Sequence, residues 1–280
     1  MPITRDRSRW RLAAVAAAAA AVIASLLVIA TAGASPEAVS PPPTGAGFDY
    51  QIGGAYALPE GATVVSRDRE DPPAEPGEPQ GADVYSICYV NAFQVQPGEL
   101  ADWDDDLLLR DGNGEVIIDE EWQEALLDIS TADRRERIAA TVNGWIDGCA
   151  EAGYQAVEPD NFDSFTRSGG RFDDEAAMAY IALLSEHAHA QGLAIAQKNT
   201  SELSGERART GLDFAIAEEC GEQGNCHEFT AAYGDDVIVI EYTPEGLAAA
   251  CREYGDRLSI VRRDSLVVTP DEDGYVRETC

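Results

Sequence analysis

Short apolar runs that end in a polar residue, repeated along the chain, are what most restricts the fold. Tyr154-Gln155-Ala156-Val157 runs directly into Glu158-Pro159-Asp160-Asn161. Residues 193–196 lead to Lys198-Asn199, residues 214–217 to Glu218-Glu219, and residues 237–240 to Glu241-Tyr242. Runs this short and this continuously apolar suit parallel strands buried on both faces. In α/β barrels and open α/β sheets, chemistry sits at the carboxyl ends of such strands. A single acidic strand end is an ordinary helix N-cap; four polar ends in series describe a rim.

The same reading predicts strands over 62–65, 84–89, 125–129, 154–157, 193–196, 214–217, 237–240 and 258–261. Helical periods lie between them. Ile138, Val142, Trp145, Ile146 and Cys149 form one apolar stripe, as do Ala177, Tyr180, Ile181, Leu184 and Ala188. Asp173-Asp174-Glu175 gives the second helix a negative N-terminus, and Gly192 closes its far end. Leu247, Ala250 and Cys251 mark a third. Eight runs alternating with helices match a (β/α)8 TIM barrel forming one large domain, with a doubly wound open sheet as the alternative.

The chain divides before that domain begins. Arg5, Arg7, Arg9 and Arg11 precede an apolar run over 12–29, and Ala32-Gly33-Ala34 offers a small-x-small cleavage pattern. Residues 1–34 are therefore expected to be a secretion signal, or an uncleaved anchor, since the run is long enough to span a bilayer. Residues 35–47 read as a Pro/Gly/Ser linker, and 48–280 as the barrel. Either N-terminal reading places the domain outside the cytoplasm.

Six cysteines in an exported chain favour disulfides. Cys220 and Cys226 are near enough to staple one loop, Cys251 and Cys280 to tie down the tail, while Cys88 reads as a buried residue. No CxxC pair is present and only His227 lies near a cysteine, so no metal is expected. Beyond residue 34 the chain carries 16 basic and 50 acidic residues, a net charge of −34 against −31 for the whole. Such a field repels nucleic acid, which needs clustered Lys and Arg, and attracts cations.

In a barrel the polar strand ends converge on one pocket that would gather Asp68, Asp128, Asp160, Asn161, Lys198, Asn199, Glu218, Glu219, Glu241 and Tyr242. Two carboxylates across a cleft suffice for glycosidic cleavage: one protonates the leaving oxygen, the other attacks the anomeric carbon or activates water. Crowding raises one acid's pKa and keeps it protonated. Lys198 would hold a neighbour ionised or bond a sugar hydroxyl. Tyr89, Phe93, Phe162, Phe165 and Tyr242 are candidates for stacking on sugar faces, or for the core. Other chemistries lack their parts. There is no HExxH, GxSxG, P-loop or EF-hand spacing, and His187 and His189 fall on the second helix. No nucleotide or cofactor is expected.

These segments, with Ala188-His189-Ala190-Gln191-Gly192-Leu193 before Lys198-Asn199, and Cys220 closing Phe214-Ala215-Ile216-Ala217-Glu218-Glu219, resemble glycoside hydrolase family 114 in order and spacing. These are the endo-α-1,4-polygalactosaminidases, and the resemblance runs from about Asp49 to Cys280. It implies a (β/α)8 barrel that cleaves α-1,4-linked galactosamine polymers with Asp160 and Glu218 as the catalytic acids. Glu158, Asn161, Lys198, Asn199, Glu241 and Tyr242 match further motif positions and would line the substrate site; Asp68 and Tyr89 match more loosely. The strand-2 segment departs from the family's Cys-Tyr-Phe-Ser-Ala-Gly, reading Cys88-Tyr89-Val90-Asn91-Ala92-Phe93. Asp102-Trp103-Asp104 follows it where the family has an arginine after the tryptophan. The family's asparagine and glutamine around the catalytic glutamate are Ala217 and Glu219 here. The implied partner is a cationic or amino-sugar polysaccharide met by a monomer, and the negative charge suits it. A non-catalytic carbohydrate-binding barrel and a glycosidase of another specificity are the competing readings.

Overall fold

The computed structural model describes residues 39–74 and 83–280; the expected leader or anchor over 1–34 lies outside the described residues. Strands β1 (Phe48–Gln51), β2 (Val64–Asp68) and β3 (Tyr85–Asn91) begin the barrel. An inserted three-stranded antiparallel sheet follows, built from β4 (Gln94–Val95), β5 (Ile118–Asp119) and β6 (Glu124–Leu126) in the order β4-β6-β5. The chain continues through α1 (Ala132–Ala152), β7 (Ala156–Asp160), α2 (Asp174–Ala190), β8 (Ala194–Lys198), α3 (Arg207–Thr210) and β9 (Phe214–Glu218). It finishes with α4 (Cys220–Gln223), α5 (Cys226–Tyr233), β10 (Val237–Glu241), α6 (Pro244–Tyr254), β11 (Ser259–Arg263) and β12 (Arg277–Thr279).

Eight strands run parallel in the order β1-β2-β3-β7-β8-β9-β10-β11, and β12 adds antiparallel to β11. The sheet curls until β1 lies beside β11 and β12, giving the mixed α/β, TIM-barrel-like architecture. Side chains hold the seam: Arg277 Nε donates to Asp49 Oδ1 at 2.9 Å, and Arg277 Nη2 to the Phe48 carbonyl at 3.2 Å. Alternate residues of all eight strands, among them Phe48, Val64, Ile87, Ala156, Ile216 and Val261, fill the interior. Their neighbours, such as Val157, Ala217 and Val239, pack outward under the helices.

One expected strand lies outside the barrel, and one barrel strand was not expected. Residues 125–129 do not enter the barrel; their first part belongs to β6 of the inserted sheet, with Leu126, Leu127 and Ile129 buried there. The barrel's first strand is instead β1, whose Phe-Asp-Tyr-Gln pattern alternates and so is not an apolar run. Its polar residues are buried because they meet partners on both sides: Asp49 takes Arg277 across the seam, and Gln51 Oε1 takes Arg67 Nε of the neighbouring β2 at 2.9 Å. The end of the expected linker is also structured, since the Gly47 carbonyl accepts from the Thr63 and Val64 amides at 2.8 and 3.0 Å. Among the described residues, no helix links β1 to β2 or β2 to β3.

Helix ends follow the local chemistry. Thr131 caps α1 by accepting from the Arg134 amide, and left-handed Gly153 stops it at φ 97°. Asp173 caps α2, and Thr243 with Pro244 at the first turn starts α6. Three disulfides, Cys88–Cys149, Cys220–Cys226 and Cys251–Cys280, leave no free cysteine. Cys88 is buried as expected but joins β3 to α1. Among the described residues no helix is long and apolar enough to cross a membrane.

Candidate active site

Strand parity decides which end groups enter the barrel. Ala156 faces inward on β7, so Glu158 and Asp160 do too; Ala196 carries Lys198 inward on β8, and Ile216 carries Glu218 inward on β9. The backbone then turns out of each strand through left-handed residues: Asn161 (φ 65°), Asn199 and Thr200 (φ 49° and 53°), and Glu219 (φ 58°). Asparagine tolerates that region, whereas Thr200 and Glu219 carry strain of about 1 kcal/mol or more each. Pro159 has no N–H to extend the ladder, and the β7–β8 pairing ends at Val157–Ile195.

Lys198 stands at the centre, almost fully buried. Its Nζ lies 3.1 Å from Glu158 Oε1, 3.2 Å from Asp160 Oδ1 and 3.4 Å from Glu218 Oε2, and donates to Tyr50 Oη at 3.1 Å. Burial alone would lower this ammonium's pKa, but Asp160, Glu218 and Glu158 together raise it well above its ordinary value. Burial likewise works against ionised Asp160; the Lys198 charge, the Tyr89 hydroxyl at 2.7 Å and the Asn161 amide at 2.8 Å override it and hold the carboxyl below its usual range. Glu158 is raised by burial, against the opposing pull of Lys198 and the Ser66 hydroxyl. Asn199 Nδ2 donates to Glu218 Oε2 at 2.9 Å, its Oδ1 accepts from the Glu218 amide at 2.8 Å, and the Tyr242 hydroxyl donates to Glu218 Oε1. Three carboxylates thus share one cation.

Above this cluster the barrel mouth opens into two connected lobes. One, of about 420 Å³, is lined by Asp68, Tyr89, Asp160, Asn161 and Glu124; the other, of about 660 Å³, by Thr200, Ser201, Glu202 and Phe229. Glu218, Asn199 and Tyr242 border both lobes, as do Trp122 (49 % exposed) and Leu266 (70 % exposed). Asp160, Asn161, Glu218, Asn199, Tyr242, Asp68 and Tyr89 are therefore brought together, with Lys198 beneath them.

Three residues expected at the pocket are elsewhere. Glu158 is fully buried under Lys198 and bonds Tyr50 at 3.1 Å, so it touches the lysine and not the cavity. Glu241 sits one step past the inward Ile240 and faces the outer layer, where the Gly221 amide donates to its Oε1 at 2.6 Å. Burial pushes this carboxyl up to about 7, against the Gly221 and Glu222 amides. It lies beside the Cys220–Cys226 sulfurs, but disulfide-bonded cysteines are not metal ligands. Asp128 pairs with Arg134 at 2.7 Å and does not reach the cavity, and Phe93 and Phe162 belong to the core. Reading for apolar runs missed Tyr50, Ser66 and Glu124. The alternation of β1 is the signal for Tyr50; Glu124 has no local one, because it arrives on the inserted sheet.

Over residues 29–280 the chain matches the family described as Glycoside-hydrolase family GH114. In three dimensions it is similar to Aspergillus fumigatus Ega3 in complex with galactosamine, with TM-score 0.69 and 19% identity, covering 87% of this chain and 98% of that one. It is also similar to the glycoside hydrolase domain of PelA from Pseudomonas aeruginosa, with TM-score 0.54 and 15% identity, covering 82% and 96%. No curated protein sequence matches it.

Proposed function

Because the chain belongs to glycoside hydrolase family GH114 and is a glycoside hydrolase, we propose that it is an extracytoplasmic endo-acting enzyme that cleaves α-1,4-linked galactosamine polymers. Asp160 and Glu218 act as its carboxylate pair. The observation that carries this reading is the shared ammonium: one Lys198 nitrogen lies 3.2 Å from Asp160 and 3.4 Å from Glu218 at the floor of the cleft.

Asp160 is held ionised and serves as the nucleophile. Its oxygen bonds to the anomeric carbon as the carbon–oxygen linkage breaks, and Glu218 gives its proton to the departing oxygen. Water then attacks the same carbon, Glu218 takes its proton, and Asp160 leaves. Because both acids touch one nitrogen, their nearest oxygens are no further apart than the sum of 3.2 and 3.4 Å. That upper limit admits the roughly 5–5.5 Å of retaining enzymes and reaches only the bottom of the roughly 6.5–9.5 Å range of inverting ones.

Endo action follows from a cleft with lobes on both sides of Glu218. The galactosamine held by Ega3 supports an amino-sugar polymer, and three carboxylates on one ammonium suit a cationic ligand. Three disulfides fit an oxidising compartment. Asp160→Asn and Glu218→Gln are each expected to lower turnover of polygalactosamine by roughly 10²–10⁴-fold while the variants remain folded. Full turnover in either variant rules the pair out, and proton NMR of the first-formed anomer reports retention.

A further inference from the structure

The carboxylates around the mouth differ in whether a cation answers them. Asp119 and Asp163 both pair with Arg167, at 2.9 and 2.7 Å. Asp160, Glu158 and Glu218 share Lys198. Glu124 lines the same lobe as Asp160 and, among the described residues, forms no ion pair. It stands on β6 of the inserted sheet. One of its oxygens accepts from Asn91 Nδ2 at 2.9 Å, and Asn91 Oδ1 accepts from Asn161 Nδ2 at 3.0 Å. Among the described residues no group donates to the other oxygen. Trp122, two residues earlier, offers an exposed apolar face to the same lobe.

We propose that Glu124 is a specificity residue for the sugar amine, its unbonded oxygen accepting from the ammonium of a deacetylated hexosamine unit. This deepens the polymer-cleaving function above and rests on it. A half-buried carboxylate without a cation is incomplete, and a substrate ammonium supplies the missing charge together with a charge-assisted hydrogen bond. An N-acetylated unit brings only a neutral amide. A protonated carboxyl, in contrast, can donate to the acetamide carbonyl. The groups facing Glu124 are Asn91 on β3, Asp119 on β5, Asp160 on β7 and Arg167 in the helical turn Phe162–Arg167. Burial pushes it up to about 7, with the charges of Asp160 and Asp119 adding to burial against the Asn91 amide and Arg167. While the substrate amine stays protonated, the preference for deacetylated units should therefore rise as pH climbs toward that value.

The test compares wild type, Glu124→Gln and Asn91→Ala on polygalactosamine and on its N-acetylated form, from about pH 5 to about pH 8. Glutamine keeps an oxygen for Asn91 and presents an amide to the lobe. The ratio of kcat/KM, deacetylated over acetylated, is expected to fall about tenfold or more in Glu124→Gln. The loss should lie mainly in KM, and the rise of the ratio with pH should disappear. Asn91→Ala, which cuts the link to Asn161, should lower both substrates by similar factors. An unmoved ratio in Glu124→Gln, or equal losses on both polymers, overturns the Glu124 assignment alone. A wild-type enzyme inert on both polymers overturns it together with the proposed function.

Discussion

Glu218 and Glu241 end adjacent parallel strands, each after a run of buried aliphatic residues, yet they belong to different parts of the molecule. The β9–β10 ladder pairs Glu218 with Ile240, so Glu241 lies one residue further along and faces the opposite way. Glu218 meets Lys198, Asn199 and Tyr242 in a cavity open to solvent. Glu241 is sealed beneath α4 and α6, and its Oε2 has no hydrogen-bond partner. A Cβ on Gly246 would come 2.1 Å from that oxygen, so only glycine fits over it. Two identical side chains thus acquire chemical and packing roles through one step of pleat.

The largest test of this contrast is activity. Glu218→Gln should lose its roughly 10²–10⁴-fold in turnover, whereas Glu241→Gln should keep turnover within about tenfold, since it reaches substrate only through the loop after β9. Comparable losses in both would break the distinction. Lys198→Met should come next. Removing the cation strands three carboxylates and should cost about 3–5 kcal/mol in denaturant unfolding. The sign follows from linkage. Asp160 is depressed in the folded state, so its contribution is present above its unfolded pKa and is lost as acid protonates it. The variant should therefore show weaker stability near neutrality and a shallower acid limb. A variant as stable as wild type would show that the cluster is not held by its lysine.

A smaller effect is expected from the Cys220–Cys226 bridge, which closes the loop between the two glutamates. Replacing both cysteines with alanine should cost about 2 kcal/mol by loop-closure entropy. It should also raise KM more than it lowers kcat, because Glu219 borders the cleft and is tethered by this loop. The smallest effect concerns pH. Glu241 is raised to about 7 in the folded state, so folding is penalised progressively as pH climbs from its unfolded value to about 7. Glu241→Gln should flatten that part of the melting-temperature profile. An unchanged slope would place the titration on another group.

Much of the fold was legible in the strands. Seven of the eight expected runs overlap barrel strands because a strand buried on both faces must be apolar throughout. The eighth misled for the opposite reason: Leu126, Leu127 and Ile129 are buried in an insertion outside the barrel wall. β1 escaped notice because Asp49 becomes compatible with burial only once Arg277, more than two hundred residues away, is beside it. At the site, Asp160, Lys198 and Glu218 stand out as strand ends, but nothing local separates inward Glu218 from outward Glu241. The periods agree; the phase does not show.

The sequence by itself determined the rhythm of the barrel and the polar rim. The tertiary structure alone decided which of those acids share Lys198, that Glu158 is sealed beneath it, and that Glu124 arrives from an inserted sheet. The reason is physical. Alternation along a strand is local, fixed by backbone geometry, whereas its phase is set by hydrogen-bonded neighbours and ion pairs between distant segments. A charge can be buried only where the folded chain has already placed its partner.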